Sequence, residues 1–196
     1  MANVNAPFGF RAMGKLGSDV NNMATNEYSI SDNFATDLFQ GMMVGLTSGV
    51  ITAGTATSEK NLGVLNGVFI SKDPTTGKPT FKNQYTQTNV ATGETITAFV
   101  FDDPNTLFEV QAGGTSTLAV AAQGNNIDSV VGTGSSVTGI AASTLATSVT
   151  GSGATAQMRI IKVSKDPQNS DRANSYCNYV VKFNEHLYLT TTGGDA

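Results

Sequence analysis

Charge is scarce in this chain. Asp, Glu, Lys and Arg make up 13% of 196 residues, about half the usual share, with eleven cationic side chains against fifteen anionic ones. No basic stretch is dense enough to hold nucleic acid by its phosphates, which argues against direct DNA or RNA binding. Cysteine occurs once, as Cys177, so no disulfide forms within the chain and assembly in a reducing cytoplasm fits. Its place between Tyr176 and Asn178, in an apolar strand-like run, marks it as a buried structural residue rather than a nucleophile. Histidine also occurs once, and His186 has neither a cysteine nor a second histidine beside it to share a zinc ion. Next to Glu185 it reads as a solvated pair at a strand end. Tryptophan is absent. No apolar run approaches the length of a membrane span, and Met1 to Asn5 lacks the basic and apolar regions of an export signal, so a soluble protein without membrane contact is expected. A sustained helical period and an internal repeat are both missing.

What is present is β signal. Thr95 to Phe101 is apolar and β-branched on both faces, with Ile96, Ala98 and Val100 on one and Thr97, Phe99 and Phe101 on the other, as a central strand requires. Asp102-Asp103-Pro104-Asn105 supplies a turn, since Pro presets φ and the Asp and Asn side chains cap free backbone groups. Leu107 to Ala112 then returns with Phe108, Val110 and Ala112 inward and Leu107, Glu109 and Gln111 on a wetter face. The expectation is a β-hairpin over residues 95–112 at the centre of the fold.

Other strands are expected at Glu27 to Ser31, Met42 to Thr47, Val50 to Ala53 after the turn Ser48-Gly49, Leu62 to Ile70, Phe81 to Thr86, Met158 to Val163 and Tyr176 to Phe183. Gly63 and Gly67 imply a bulge or a close backbone approach within the fourth of these. Asp73 to Pro79 and Ser164 to Ser175 read as polar loops. Residues 113–154 are rich in Gly, Ser and Thr, yet Val130, Val131, Val137, Ile140, Leu145 and Val149 recur often enough to tie them to a core, with a helical turn near Leu118 to Gln123. A short segment from His186 to Thr190 completes the sheet before a flexible tail. The fold class is therefore all-β, an antiparallel β-barrel or β-sandwich of short strands. Residues 1–24 are expected as an extended N-terminal arm without regular hydrogen bonding, and residues 25–196 as a single β-rich domain. Phe8 and Phe10 on that arm either fold back on their own domain or dock on a neighbouring subunit.

No catalytic constellation emerges. Asp102 and Asp103, with Asp73 or Asp128, are the acids that calcium or a hydrolytic reaction would use, but the turn already accounts for the first two. The serines lack a G-x-S-x-G elbow, and Gly132-Thr133-Gly134 and Ala112-Gly113-Gly114 lack the lysine and helix start of a phosphate loop. Neither an enzyme activity nor a cofactor is expected.

Asn5-Ala6-Pro7-Phe8-Gly9-Phe10-Arg11, Phe39-Gln40-Gly41-Met42-Met43-Val44, Val64 to Phe69 with Asn66-Gly67, Asp102-Asp103-Pro104 running into Leu107-Phe108-Glu109-Val110-Gln111, Met158-Arg159-Ile160-Ile161 and Val180 to His186 follow one another in a characteristic order. Together they resemble the head decoration, or cement, proteins of tailed bacteriophages, over nearly the whole chain. Met42 and Ala12 depart from the family's pattern, in which an acidic residue and a proline are frequent at those places. The resemblance implies a β-rich structural virion protein, made in the host cytoplasm and bound to the capsid exterior. Its implied partners are the major capsid protein and neighbouring copies of itself, and it implies capsid contacts through Pro7, Phe8, Phe10 and Arg11. A tail- or fibre-associated adhesin that binds host glycan is the alternative, weakened by the lack of Trp to stack on sugar.

Overall fold

Two β systems share this chain. The computed structural model describes residues 2–17, 24–54, 60–87, 93–114, 118, 120–153 and 155–189. The strands are β1 (Arg11–Lys15), β2 (Asn26–Ile30), β3 (Leu38–Phe39), β4 (Met43–Thr47), β5 (Val50–Ala53), β6 (Gly63–Ile70), β7 (Thr80–Lys82), β8 (Gln84–Tyr85), β9 (Ile96–Phe101), β10 (Thr106–Gln111), β11 (Asn126–Ile127), β12 (Ser129–Val130), β13 (Thr144–Leu145), β14 (Met158–Val163) and β15 (Asn178–Phe183). The described residues include no α-helix; 3-10 turns are formed at Val120–Ala122 and Leu187–Leu189.

The first system is a closed five-stranded barrel in the order β4-β5-β2-β9-β6, with β6 returning to β4 and β7 added outside β6. β4 and β5 form a two-residue hairpin in which Ser48 and Gly49 both take positive φ, 50° and 79°, as a twist-matched tight turn requires. β2 meets β5 in parallel at Ser29 and Val50, while the other barrel pairs are antiparallel. Both glycine expectations for β6 hold. A bulge falls between Leu65 and Gly67, and a Cβ at Gly63 would stand 2.3 Å from the Phe101 carbonyl oxygen. The interior is filled by Ile30, Val44, Ile51, Leu65, Val68, Ile70, Ile96, Ala98 and Val100. The alternation of β9 therefore places its residues as expected, and β9 lies between β2 and β6.

The second system is the sheet β1-β10-β15-β14-β11. It buries Phe10, Phe108, Val110, Ile127, Met158, Ile160, Cys177, Tyr179, Val181 and Phe183, with Leu145 from the separate β12–β13 pair and Met43 and Val64 from the barrel.

The hairpin over residues 95–112 does not form. The chain does turn after Phe101, with Thr106 N donating to Asp103 O at 3.0 Å, but β9 stays in the barrel and β10 enters the other sheet. The edge of β10 that β9 was expected to occupy is taken by β1, through Arg11 opposite Glu109 and Lys15 opposite Thr106. The turn is a corner between two sheets.

That pairing also corrects the reading of the arm. Residues 11–15 are a strand paired with β10, bulged between Ala12 and Gly14, and the residues before them are bonded to the protein's own surface. Asn3 Nδ2 donates to Asp171 O at 2.7 Å and Ser175 O at 2.8 Å, and Val4 N donates to Asn169 Oδ1 at 2.7 Å. Gln111 donates to Val4 O at 2.9 Å and accepts from Ala6 N at 3.2 Å. Glu109 and Gln111, expected on a wet face, are buried because the arm covers them.

Smaller differences have local causes. Residues 81–86 are not one exposed strand: β7 and β8 part at Asn83, and β8 pairs with β3 so that Tyr85 is buried and donates to Phe34 O at 2.8 Å. β15 begins at Asn178, since Tyr176 adopts φ 63°. Leu187–Leu189 is a 3-10 turn rather than a closing strand. Thr190, the tail 191–196 and residues 18–23 of the arm lie outside the described residues.

Candidate functional site

The arm crosses the barrel at two facing glycines. Gly9 and Gly41 have φ of 71° and 83°, and a Cβ on Gly9 would fall 2.6 Å from the Gly41 carbonyl oxygen, so only bare backbone fits. Phe10 N donates to that oxygen at 2.9 Å. Pinned there, the chain sends successive side chains to opposite sides. Phe10 goes inward, is 3% exposed, and meets Phe108 edge-on at 6.5 Å. Phe8 and Arg11 stay at the surface, the Arg11 guanidinium standing 4.2 Å over the Phe8 ring.

Between arm and barrel lies a groove of about 420 Å³. Phe8, Arg11 and Ala12 form its arm side, Leu65, Phe101 and Ile140 its apolar floor, and Gln40 and Asn66 its polar rim. Gln40 organises the far wall, since its backbone N donates to Asn83 O and Gly139 O at 2.9 Å and its O accepts from Ala141 N at 2.9 Å. Those bonds carry Ile140 into the groove. Arg11 reaches Glu109 Oε2 at 3.7 Å, and buried Glu109 also accepts from Ser164 Oγ. The groove is thus an apolar slot with a single guanidinium at its lip.

Three of the four expected contact residues therefore line one groove, and one of these, Phe10, belongs to the protein's own core. Pro7 is half-buried beside them. The acids do not assemble into a site. Asp102 accepts from Tyr28 Oη at 2.5 Å and from Asn26 Nδ2 at 2.8 and 3.0 Å. Asp103 pairs with Lys15. Asp73 lies 2.7 Å from Lys82 and accepts from Thr75 N and Thr76 N, contacts led by Lys82 that hold its carboxyl at about 2. Among the described residues no group of three His, Cys, Asp or Glu side chains is placed to share a metal ion.

His186 is the clearest correction among single residues. It is not a solvated partner of Glu185 but fully buried, edge-on to Phe183 at 5.1 Å, with Nδ1 accepting from Tyr188 N at 3.2 Å. Burial pushes its imidazole down to about 4. Cys177 is buried as expected, and burial pushes its thiol up. Among the described residues no helix is long and apolar enough to cross a membrane.

Gln40, Leu65, Asn66 and Ile140 were not legible as groove residues, because three distant stretches of chain supply them. The one local signal was the Asn66-Gly67 interruption in an otherwise buried strand. Comparison of the chain with family models, characterised proteins and solved structures returns no match.

Proposed function

We propose that the protein is a structural component of a tailed-phage virion that binds the outer surface of the capsid and bridges major capsid protein subunits. The observation that supports this most is the groove of about 420 Å³: Phe8 and Arg11, two of the residues through which the resemblance implies capsid contacts, line it. A slot with an apolar floor and a cation at its mouth accepts an apolar side chain of a capsid subunit beside a carboxylate. Pro7, Phe8 and Arg11 are the contact residues in this reading, and Phe10 positions them from within the core.

The mechanism is linkage and requires no reaction. A subunit that holds two capsid proteins at once stabilises the shell, because its binding free energy is lost whenever they separate. An interface of about 1,200–2,000 Å² per copy is the usual size for such specific contacts, and engaging several sites multiplies the effect through effective concentration. The neighbouring copy of the same protein is a further partner on a crowded shell.

The test adds purified protein to shells that lack it and measures occupancy and rupture temperature. Wild type is expected to bind at saturable sites and raise the rupture temperature; Phe8→Ala with Arg11→Ala is expected to lose occupancy while staying folded. Shells that are equally tough without the protein overturn the reading.

A further inference from the structure

We infer that the outer face of the barrel around Phe69, Phe81 and Phe99 is a binding site for a neutral saccharide, independently of any capsid contact. Phe81 is 72% exposed, although a phenyl ring in water is unfavourable. Its position follows from strand register. Phe81 on β7 stands opposite Phe69 on β6, while Phe99 on β9 stands opposite Gly67, one step along the same outer face. The three rings support one another, with centroids 4.8 Å apart for Phe69 and Phe81 and 5.9 Å apart for Phe81 and Phe99. The platform is therefore formed before any ligand arrives, and little side-chain freedom remains to be lost on binding.

Beside the rings is a shallow cleft of about 390 Å³, lined by Phe81, Phe99, Thr25, Gln40, Asn66 and Asn83. Gly67 stands opposite Phe99 and has no side chain, so none from that position covers the ring. The Asn66 amide is oriented by the bond from Gln40 Nε2 to its Oδ1 at 3.2 Å. Among the described residues, its Nδ2 group and the Asn83 amide have no protein partner. An aromatic face flanked by carboxamides and a threonine suits a sugar ring, whose C–H face packs on the negative π surface while each hydroxyl donates to one amide and accepts from another.

Charge selects the class of ligand. Lys82, the cation of the cleft, is neutralised by Asp73 at 2.7 Å. Exposed Glu27 stands opposite Phe99 on the neighbouring strand and adds a negative charge at the platform edge. A phosphate-bearing or uronic-acid polymer meets repulsion there, whereas a neutral one does not.

The experiment titrates full-length protein, by NMR and calorimetry, with maltohexaose, cellohexaose, mannohexaose and chitohexaose. A hyaluronan hexasaccharide and a ten-residue oligothymidylate serve as anionic comparators, and sedimentation without ligand reports self-association. The expected result is that at least one neutral hexasaccharide shifts the Asn66, Asn83 and Phe81 signals. Phe81→Ala is expected to weaken that binding at least tenfold, and Phe81→Tyr to retain it within threefold. Phe81 is largely exposed but touches Phe69 and Phe99, so Phe81→Tyr should keep the wild-type unfolding midpoint and Phe81→Ala should lower it by no more than about 6 °C. The inference is overturned if none of the four neutral oligomers binds, if Phe81→Ala binds as well as wild type, if an anionic comparator binds more tightly, or if the protein dimerises through this face. Gln40 and Asn66 border both the cleft and the groove, but Phe81 borders the cleft alone, so the Phe81 variants separate saccharide binding from the shell assay, which is read at Phe8 and Arg11.

Discussion

The Tyr28 hydroxyl donates to the Asp102 carboxylate at 2.5 Å, and Asn26 donates to both oxygens of the same group. Strand β2 is thereby fastened to the corner at which the chain leaves the barrel. Burial, followed by this bond, raises the Tyr28 hydroxyl well above the usual tyrosine range, so it remains a donor at any working pH. Asp102→Ala strips two donors of their acceptor and is expected to cost about 2–3 kcal/mol, read from urea midpoints. Tyr28→Phe removes one of those bonds and should cost less. An Asp102→Ala midpoint equal to wild type would show that the corner is held otherwise.

Acid sensitivity should begin with His186. In the unfolded chain the ring titrates near 6.5, and in the folded protein at about 4. The unfolded chain takes up the proton first, so this contribution is complete above pH 6.5 and is lost as pH falls towards 4. It amounts to about 3 kcal/mol. Asp102 and Asp103 lie close enough to favour the charged ring, and they moderate the effect. Asp73, held at about 2 against 3.8, loses its contribution only at lower pH. Urea midpoints between pH 7 and 4.5 should therefore decline in wild type and flatten in His186→Phe. An unchanged slope in that variant assigns the acid limb to another group.

Glycine substitutions should separate sharply by position. A Cβ at Gly63 would meet the Phe101 carbonyl at 2.3 Å and a Val100 methyl at 2.8 Å, inside the closed barrel. Gly63→Ala is expected to cost about 2 kcal/mol or more, because the β6–β9 backbones must move apart. At Gly14 on the edge strand β1 a Cβ meets nothing within 4 Å. Gly14→Ala should be neutral or slightly stabilising, by up to about 1 kcal/mol, as the unfolded chain becomes less free. Equal effects at the two sites would contradict the close approach at Gly63.

The strands were legible wherever a residue's environment depends on its own neighbours. Ile96, Ala98 and Val100 alternate inward as their pattern requires, and Ser48-Gly49 forms the turn that its conformational freedom permits. Partners were not legible. The turn at Asp102 to Asn105 reverses the chain as read, but which strands flank β10 is set by β1 and β15, far from the turn in sequence. Nothing in Arg11 to Lys15 marks it as a strand, because Gly14 and Lys15 break the alternation. Tyr85 and His186 depart from their local sequence for a related reason: Tyr85 follows Asn83 and Gln84 and His186 follows Glu185, yet β3 and Phe34 cover the first and a bridge to distant Asn61 helps bury the second. Half of the groove was visible in the motif around Phe8 and Arg11; the other half exists only after folding brings Gln40, Leu65 and Ile140 together.

Phe10 and Arg11 are adjacent in sequence yet should respond oppositely to truncation. Phe10 is 3% exposed and packed on Phe108, so Phe10→Ala leaves a cavity and should cost about 3–5 kcal/mol. The Arg11 side chain is 59% exposed, and its 3.7 Å pairing with Glu109 is screened by water, so Arg11→Ala should cost no more than about 1 kcal/mol. In a protein of this size the first change lowers the thermal midpoint by about 6–20 °C and the second by less than about 4 °C. The difference determines how a shell-binding loss is interpreted. Lost occupancy in Phe10→Ala follows from unfolding alone, whereas lost occupancy in Arg11→Ala at an unchanged midpoint identifies the guanidinium as a contact. If Arg11→Ala melts as low as Phe10→Ala, the arm is held by its ion pair rather than by its buried ring.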